Sequence, residues 1–180
     1  ANPQILSDNK INQKGQRIFY TYTAIPQSIG ADSIPYITIM QVNKVLTKEP
    51  VFVEDNDAKD YGTDPIEISG QSISKAHLNL RYTFLNGGNH LIPHSISLLI
   101  AKDAQPDARG YLSAELRHDA ADDLQLNANS GYVSFTLENM PGFKEGTLKG
   151  FKIKTKTIKN ETDIVEVTMN NNRKSMNFNI

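Results

Sequence analysis

The residues of this chain best suited to proton transfer or metal binding are four histidines, His77, His90, His94 and His118, and the acids Asp119, Asp122 and Asp123. Metal sites in β proteins gather imidazoles and carboxylates from neighbouring strands. His90 and His94 flank Pro93, and His118 leads straight into the acidic loop, so one reading joins them in a single site. The plainer reading makes His90 a turn residue and His118 the end of a strand in register with Leu116. It is preferred, and no metal is expected. A second acidic group, Asp55, Asp57, Asp60 and Asp64, invites comparison with a calcium loop. Such loops alternate oxygen ligands over their first five positions, then need a glycine and later a bidentate glutamate. Counting from Asp55 puts Lys59 at a ligand position and Asp60 where the glycine belongs. The match fails, and a solvated linker is expected instead.

Nucleophilic chemistry has little to stand on. The chain has no cysteine, which removes disulfides, thiolate zinc sites and cysteine nucleophiles together. No serine sits in Gly-x-Ser-x-Gly, and there is neither His-Glu-x-x-His nor a phosphate-binding glycine loop. Glu115 and Glu138 stand on the wet faces of predicted strands. Paired acids of this kind can hydrolyse glycosides, but surface solubility explains them better. No catalytic residue and no cofactor are expected, and the chain is not read as an enzyme. Two further groups are candidates for an interaction surface. Lys152, Lys154 and Lys156 form a ladder that reads as an anion-binding stripe or, more simply, as a lysine-guarded edge strand. Tyr20, Tyr22 and Tyr36 would stack on sugar rings if their face were open, and core packing is the simpler assignment. Asn160-Glu-Thr162 matches a glycosylation sequon, which has meaning only if the source glycosylates such sites.

These side chains must be positioned by strands. In 77–84 apolar residues fall at every second position, and Leu112, Ala114 and Leu116 repeat the pattern, as do Val133, Phe135 and Leu137. Period-two alternation gives strands one dry face and one wet face, as in an antiparallel sandwich or barrel. The predicted strands of this block are 66–74, 77–85, 94–102, 110–118, 131–139, 147–158, 162–169 and 174–180. Asn86-Gly-Gly-Asn89, Met140-Pro-Gly142 and Lys159-Asn-Glu161 supply turns, and 119–130 is the longest loop. Ahead of it, 16–24 and 36–46 read as a hairpin. A parity switch near Gln41 predicts a bulge, Pro26 ends the first strand, and Gly30-Ala-Asp-Ser33 turns the chain. Glu54 to Pro65, acidic and poor in large aliphatics, is the linker. The division is therefore 1–53, 54–65 and 66–180.

Bulk properties narrow the partners. The formal net charge is -1, so neither nucleic acid nor an anionic membrane is expected to bind by bulk attraction. Hydrophobic residues are 38% and charged residues 22%, a globular balance. No run approaches the ~18 apolar residues of a spanning helix. Residues 1–9 lack the pattern of a signal peptide, which leaves a cytosolic protein or one whose leader has been removed.

Gln16-Arg17 entering a Tyr-rich strand, Val45-Leu-Thr-Lys48, His94-Ser-Ile-Ser-Leu98, Glu115-Leu-Arg-His118 and Gly131-Tyr-Val-Ser-Phe-Thr-Leu occur in an order and spacing that resembles the NigD-like proteins of Bacteroidetes. The resemblance covers most of the chain. It implies an all-β protein, with an OB-like N-terminal domain and a C-terminal β-sandwich. It also implies export to the cell envelope, at the outer membrane or in the periplasm, through a lipid anchor on an N-terminal cysteine that this sequence does not contain. Membrane association is expected only through that anchor. An OB fold has five strands, and two precede the linker, so the N-terminal block is expected to be partial. The family name comes from a bacteriocin gene cluster and brings no catalytic set with it. The function expected is a non-enzymatic binding module for an unknown protein or glycan. A protective, bacteriocin-immunity type of lipoprotein is the alternative, and a carboxylate-dependent glycan hydrolase the third.

Overall fold

The structure, a computed structural model, describes residues 4–12, 16–29, 35–54, 58–88 and 91–169. The chain divides into two compact units, Ala1–Thr47 and Lys48–Ile180. In the first, a single-turn helix α1 (Gln4–Asp8) precedes the strands β1 (Ile18–Ile29) and β2 (Pro35–Lys44). β-Branched and aromatic residues favour this pleated ribbon. The pairing is antiparallel, with Tyr20 opposite Val42, Thr21 opposite Gln41 and Tyr22 opposite Ile39. Met40 is thus the extra residue of a bulge, beside the Gln41 at which parity switches. β1 does not stop at Pro26 but runs on to Ile29. A two-stranded ribbon permits this, since each strand has an edge that needs no ladder donor. The turn expected at 30–33 lies outside the described residues.

The second unit is a two-sheet sandwich. β3 (Leu46–Lys48) spans the division between the units. After it come β4 (Val51–Val53), a 3-10 turn η1 (Ala58–Tyr61), β5 (Ile66–Ser74), β6 (His77–Asn86), β7 (Ser95–Ala101), β8 (Tyr111–Asp119), β9 (Asn127–Thr136), β10 (Gly150–Lys156) and β11 (Thr162–Thr168). One sheet runs β11-β10-β8-β7-β4, and in the other β6 lies between β5 and β9. Alternation places Leu78, Leu112, Phe135, Phe151 and Ile153 in the core with no exposed surface. The sandwich is mixed, because β10 pairs with β8 in parallel and β4 pairs with β7 in parallel. Parallel neighbours need a crossover. Here β9 supplies it: the chain leaves β8, pairs with β6 in the opposite sheet, and returns as β10. β10 begins later than the predicted 147 because the amides of Thr147 and Leu148 both turn back to the Gly142 carbonyl at 2.9 Å. The final strand predicted at 174–180 lies outside the described residues.

The stretch 54–65 is fastened to the sandwich wherever it is described, rather than standing free as a linker. β4, just before it, is a strand of the larger sheet, and η1 packs on β7 and β8. The Asp64 amide donates to the His118 carbonyl at 3.0 Å, and the Asp64 carboxylate accepts the Ala120 amide at 2.8 Å. Gly62, at φ +74°, lies so close to the His118 backbone that a Cβ would collide with its carbonyl oxygen. Gly62→Ala is therefore expected to destabilise the unit by about 2–4 kcal/mol, from left-handed strain plus overpacking. Urea denaturation measures it, and a loss below about 0.5 kcal/mol, the usual surface effect, would contradict the fastening.

Candidate functional site

The β7–β8 register sets Ser95 opposite Asp119 and Ile96 opposite His118, which brings His94 to the end of β8. His118 continues the inward row of Leu112, Ala114 and Leu116 and is 1% exposed. Its Nε2 lies 3.0 Å from His94 Nδ1, and its Nδ1 lies 3.0 Å from the Pro65 carbonyl oxygen. His94 Nε2 lies 3.1 Å from Asp123 Oδ2. Asp123 accepts the Gly87 amide at 2.9 Å and the Leu124 amide at 2.8 Å. Phe84 turns against both imidazoles, with ring centroids 5.2 and 5.4 Å away. The side chains of His94 and Asp123 are 11% and 4% exposed.

The partners dictate where the hydrogens are. A carbonyl only accepts, so His118 Nδ1 carries a hydrogen. A second lies between the two rings. An ionised carboxylate also only accepts, so His94 Nε2 carries a third. Three hydrogens on two imidazoles is one more than neutral rings hold, so satisfying all of these contacts at once requires one positive charge shared over the pair, facing Asp123. The Gly87 amide, aided by His94 and the Leu124 amide and opposed by burial, holds the Asp123 carboxyl below the ordinary carboxylate range. Burial pushes His118 below its ordinary value, and the nearby His94 adds to this, while the Pro65 carbonyl, Asp64 and Asp119 oppose it.

Every polar atom of this chain of groups is used within it. A metal needs an imidazole nitrogen free of its proton, and a general base needs a lone pair turned to substrate. Neither is on offer, and among the described residues no cluster has metal-holding geometry. What the arrangement does is clamp. It ties the β6–β7 loop (Gly87, His94) to the β8–β9 loop (Asp123, Leu124) and to Pro65. The Leu126 amide adds a bond to the Asn86 carbonyl at 3.1 Å. Ala121 and Asp122 both hold positive φ, 50° and 61°. Such backbone persists in non-glycine residues only where the surroundings over-determine it. Here the Asp119 carboxylate accepts the Ala121 amide at 2.9 Å, and the Asp123 amide donates to the Ala120 carbonyl at 3.0 Å. On this fixed loop end Leu91, Leu124 and Leu126 are 89%, 63% and 70% exposed.

The other candidates fall elsewhere. His77 opens β6, away from the clamp, and His90, Asp55 and Asp57 lie outside the described residues. β10 is interior, between β8 and β11, so the reading of Lys152, Lys154 and Lys156 as guards of an edge strand is corrected. Each lysine instead has a partner. Lys152 meets Asp107 at 2.7 Å, Lys154 meets Glu115 at 3.5 Å, and Lys156 donates to the Thr63 carbonyl at 3.1 Å. Arg117 pairs with the same Glu115 at 3.1 Å. Lys152 and Lys154 are thus engaged by acids, and Lys156 by a backbone carbonyl. The Lys152 hydrogen bond, with the Tyr111 and Arg109 amides, brings the Asp107 carboxyl down to about 2. Lys152→Ala is expected to move it back toward 3.8, which carboxyl-carbon NMR titration checks. Glu115 is spent on these cations, while Glu138 lines a separate open groove with Gln105, Lys144 and Glu145, so the two acids share no cleft. Tyr20, Tyr22 and Tyr36 are not core residues: they are 48%, 57% and 53% exposed. Tyr20 and Tyr22 share a face, with ring centroids 5.9 Å apart. The register, with Ala24 opposite Ile37, turns Tyr36 to the other face.

Sequence and fold comparisons agree with this architecture. Residues 49–169 match the family model of the NigD-like C-terminal beta sandwich domain. No curated protein matches the chain. A protein of unknown function from Bacteroides vulgatus shares the fold at TM-score 0.74 and 21% identity, over 92% of this chain and 76% of that one. A NigD-like immunity protein from Bacteroides caccae does so at 0.61 and 16%, over 83% and 71%. A candidate lipoprotein from Bacteroides fragilis does so at 0.64 and 11%, over 88% and 84%.

Proposed function

From the premise that this chain belongs to the NigD-like family, we propose that it is a non-enzymatic binding module of the cell envelope, whose ligand is a protein or a glycan. The observation that carries this reading is the saturation of the His94–His118–Asp123 clamp. The one buried cluster of titratable groups described here holds loops in place and keeps no atom for substrate. Sandwich folds present recognition loops at their ends on a rigid scaffold, and the clamped end fits that use. Export and a lipid anchor are part of this proposal, supported by the family and by the lipoprotein name of the Bacteroides fragilis protein that shares the fold. No described helix is long and apolar enough to cross a membrane. Glycan arrays and crosslinking in intact cells test the proposal. A saturable ligand without turnover is the expected result, and turnover of a substrate with no retained ligand would overturn it.

A bacteriocin-immunity role is the second reading, favoured by the fold shared with the Bacteroides caccae immunity protein. Deletion of the gene followed by challenge with related bacteriocins decides it, and unchanged sensitivity would remove it.

A further inference from the structure

We propose that the loop end bearing Leu91, Leu124 and Leu126 is a docking surface for a polypeptide segment that is both apolar and basic. The proposal rests on the binding-module reading and narrows it to one ligand class and one surface. Leu91 is 89% exposed, Leu126 70% and Leu124 63%. Single exposed leucines are ordinary; grouped ones mark contact sites. These three lie on two loops that are bonded together. Leu124 follows the clamp residue Asp123, its Cβ stands 3.0 Å from where a Cβ on Gly87 would lie, and the Leu126 amide bonds Asn86. Leu91 lies three residues before His94, on the loop that the clamp holds against Asp123. A surface already ordered in this way loses little entropy when it is covered.

Charge selects the occupant. Residues 86–88, 91–94 and 119–127 contain no lysine or arginine. Asp122 is exposed and Asp119 half-buried. Asp123 itself is taken up by His94 and by the Gly87 and Leu124 amides. The cations near this end lie off the two loops: Lys48 bonds the Ile96 carbonyl, Lys156 the Thr63 carbonyl, and Arg117 the Gly62 carbonyl and Glu115. The exposed charge on the loops that bear the leucines is therefore acidic. It opposes phosphate headgroups, and a glycan has no aliphatic side chain to cover leucine. A segment that carries leucine-like side chains together with lysine or arginine satisfies both demands.

The test uses the full chain and three probes: a fluorescent leucine/lysine amphipathic peptide, a leucine/glutamate peptide of the same length, and phosphatidylglycerol-containing vesicles. Anisotropy should show the lysine peptide bound at least about tenfold more tightly than the glutamate peptide. Its affinity should fall as salt is raised. The L91S/L124S/L126S variant, whose changes are all at exposed positions and leave every charge in place, should weaken it at least about tenfold, the value of burying a few aliphatic groups. Circular dichroism confirms that the variant is folded. Equal binding of the two peptides, no loss in the variant, or preferential binding of vesicles would overturn the proposal. If a ligand found by array or crosslinking is kept by the triple variant, this surface is wrong while the binding-module reading stands. If no ligand of any kind is found, both fall.

Discussion

Phe135→Ala is expected to destabilise the sandwich by about 3–5 kcal/mol, the usual cost of deleting a buried aromatic ring and leaving its cavity. Phe135 is fully buried, stands opposite Leu78 on β6, and belongs to the continuous core that joins the two sheets. Domains of this size are stable by only about 5–15 kcal/mol, so the variant loses a large fraction of the total. Urea denaturation gives the value directly. A midpoint close to that of the parent would mean that the sheets do not pack through this residue. The same measurement on Leu124→Ser should show almost no change, because that side chain is 63% exposed.

His118→Leu is expected to have two effects. Leucine keeps most of the buried volume but leaves the Pro65 carbonyl and His94 Nδ1 without a partner. The cost is about 2–4 kcal/mol at neutral pH, from two unsatisfied buried groups. The second effect concerns acid. Burial lowers the folded-state affinity of His118 for a proton below its ordinary value of 6.5. A depressed group contributes stability that is present above the unfolded value and is lost as pH falls below it. The parent should therefore lose stability as pH drops from 7 toward 5, and the variant should lose less over the same range. His77, His90, Asp64 and Asp119 remain in both proteins, so the difference between the two curves reports the coupled His94–His118 pair. The Asp123 carboxyl, also depressed, adds its own loss only at lower pH, below the ordinary carboxylate value of 3.8. Parallel curves for parent and variant would contradict the buried placement of this imidazole.

The strands were legible because each sheet of the sandwich has a dry side. Leu112, Ala114 and Leu116 alternate in sequence and are 0%, 7% and 1% exposed. The same row foretells that His118 points inward, and it does. The parallel pairing of β8 with β10 was not legible, since the alternation is the same for either direction, and the crossover through β9 depends on contacts far apart in the chain. β4 escaped notice because three residues leave no period to read. The lysines of β10 were misjudged as an edge for the same reason: a strand's neighbours are not written in it. The tyrosines look like core residues by type, and only the hairpin geometry shows them exposed. The clamp was half visible. Its residues stood out by chemistry, but their union depends on the β7–β8 register, which sets Ile96 against His118 and so brings His94 within 3.0 Å of it. The leucines gave no signal at all, because an apolar residue in a loop reads as incidental until its exposure is known.

The most direct test of the clamp is nitrogen-15 NMR of the imidazole rings at neutral pH. Three hydrogens should appear on the two rings, one on His94 Nε2, one on His118 Nδ1 and one shared between His94 Nδ1 and His118 Nε2, all slow to exchange with water. Two neutral rings, or a His94 nitrogen in fast exchange with solvent, would mean that the cluster keeps a free lone pair, and the account of a closed structural clamp would be wrong.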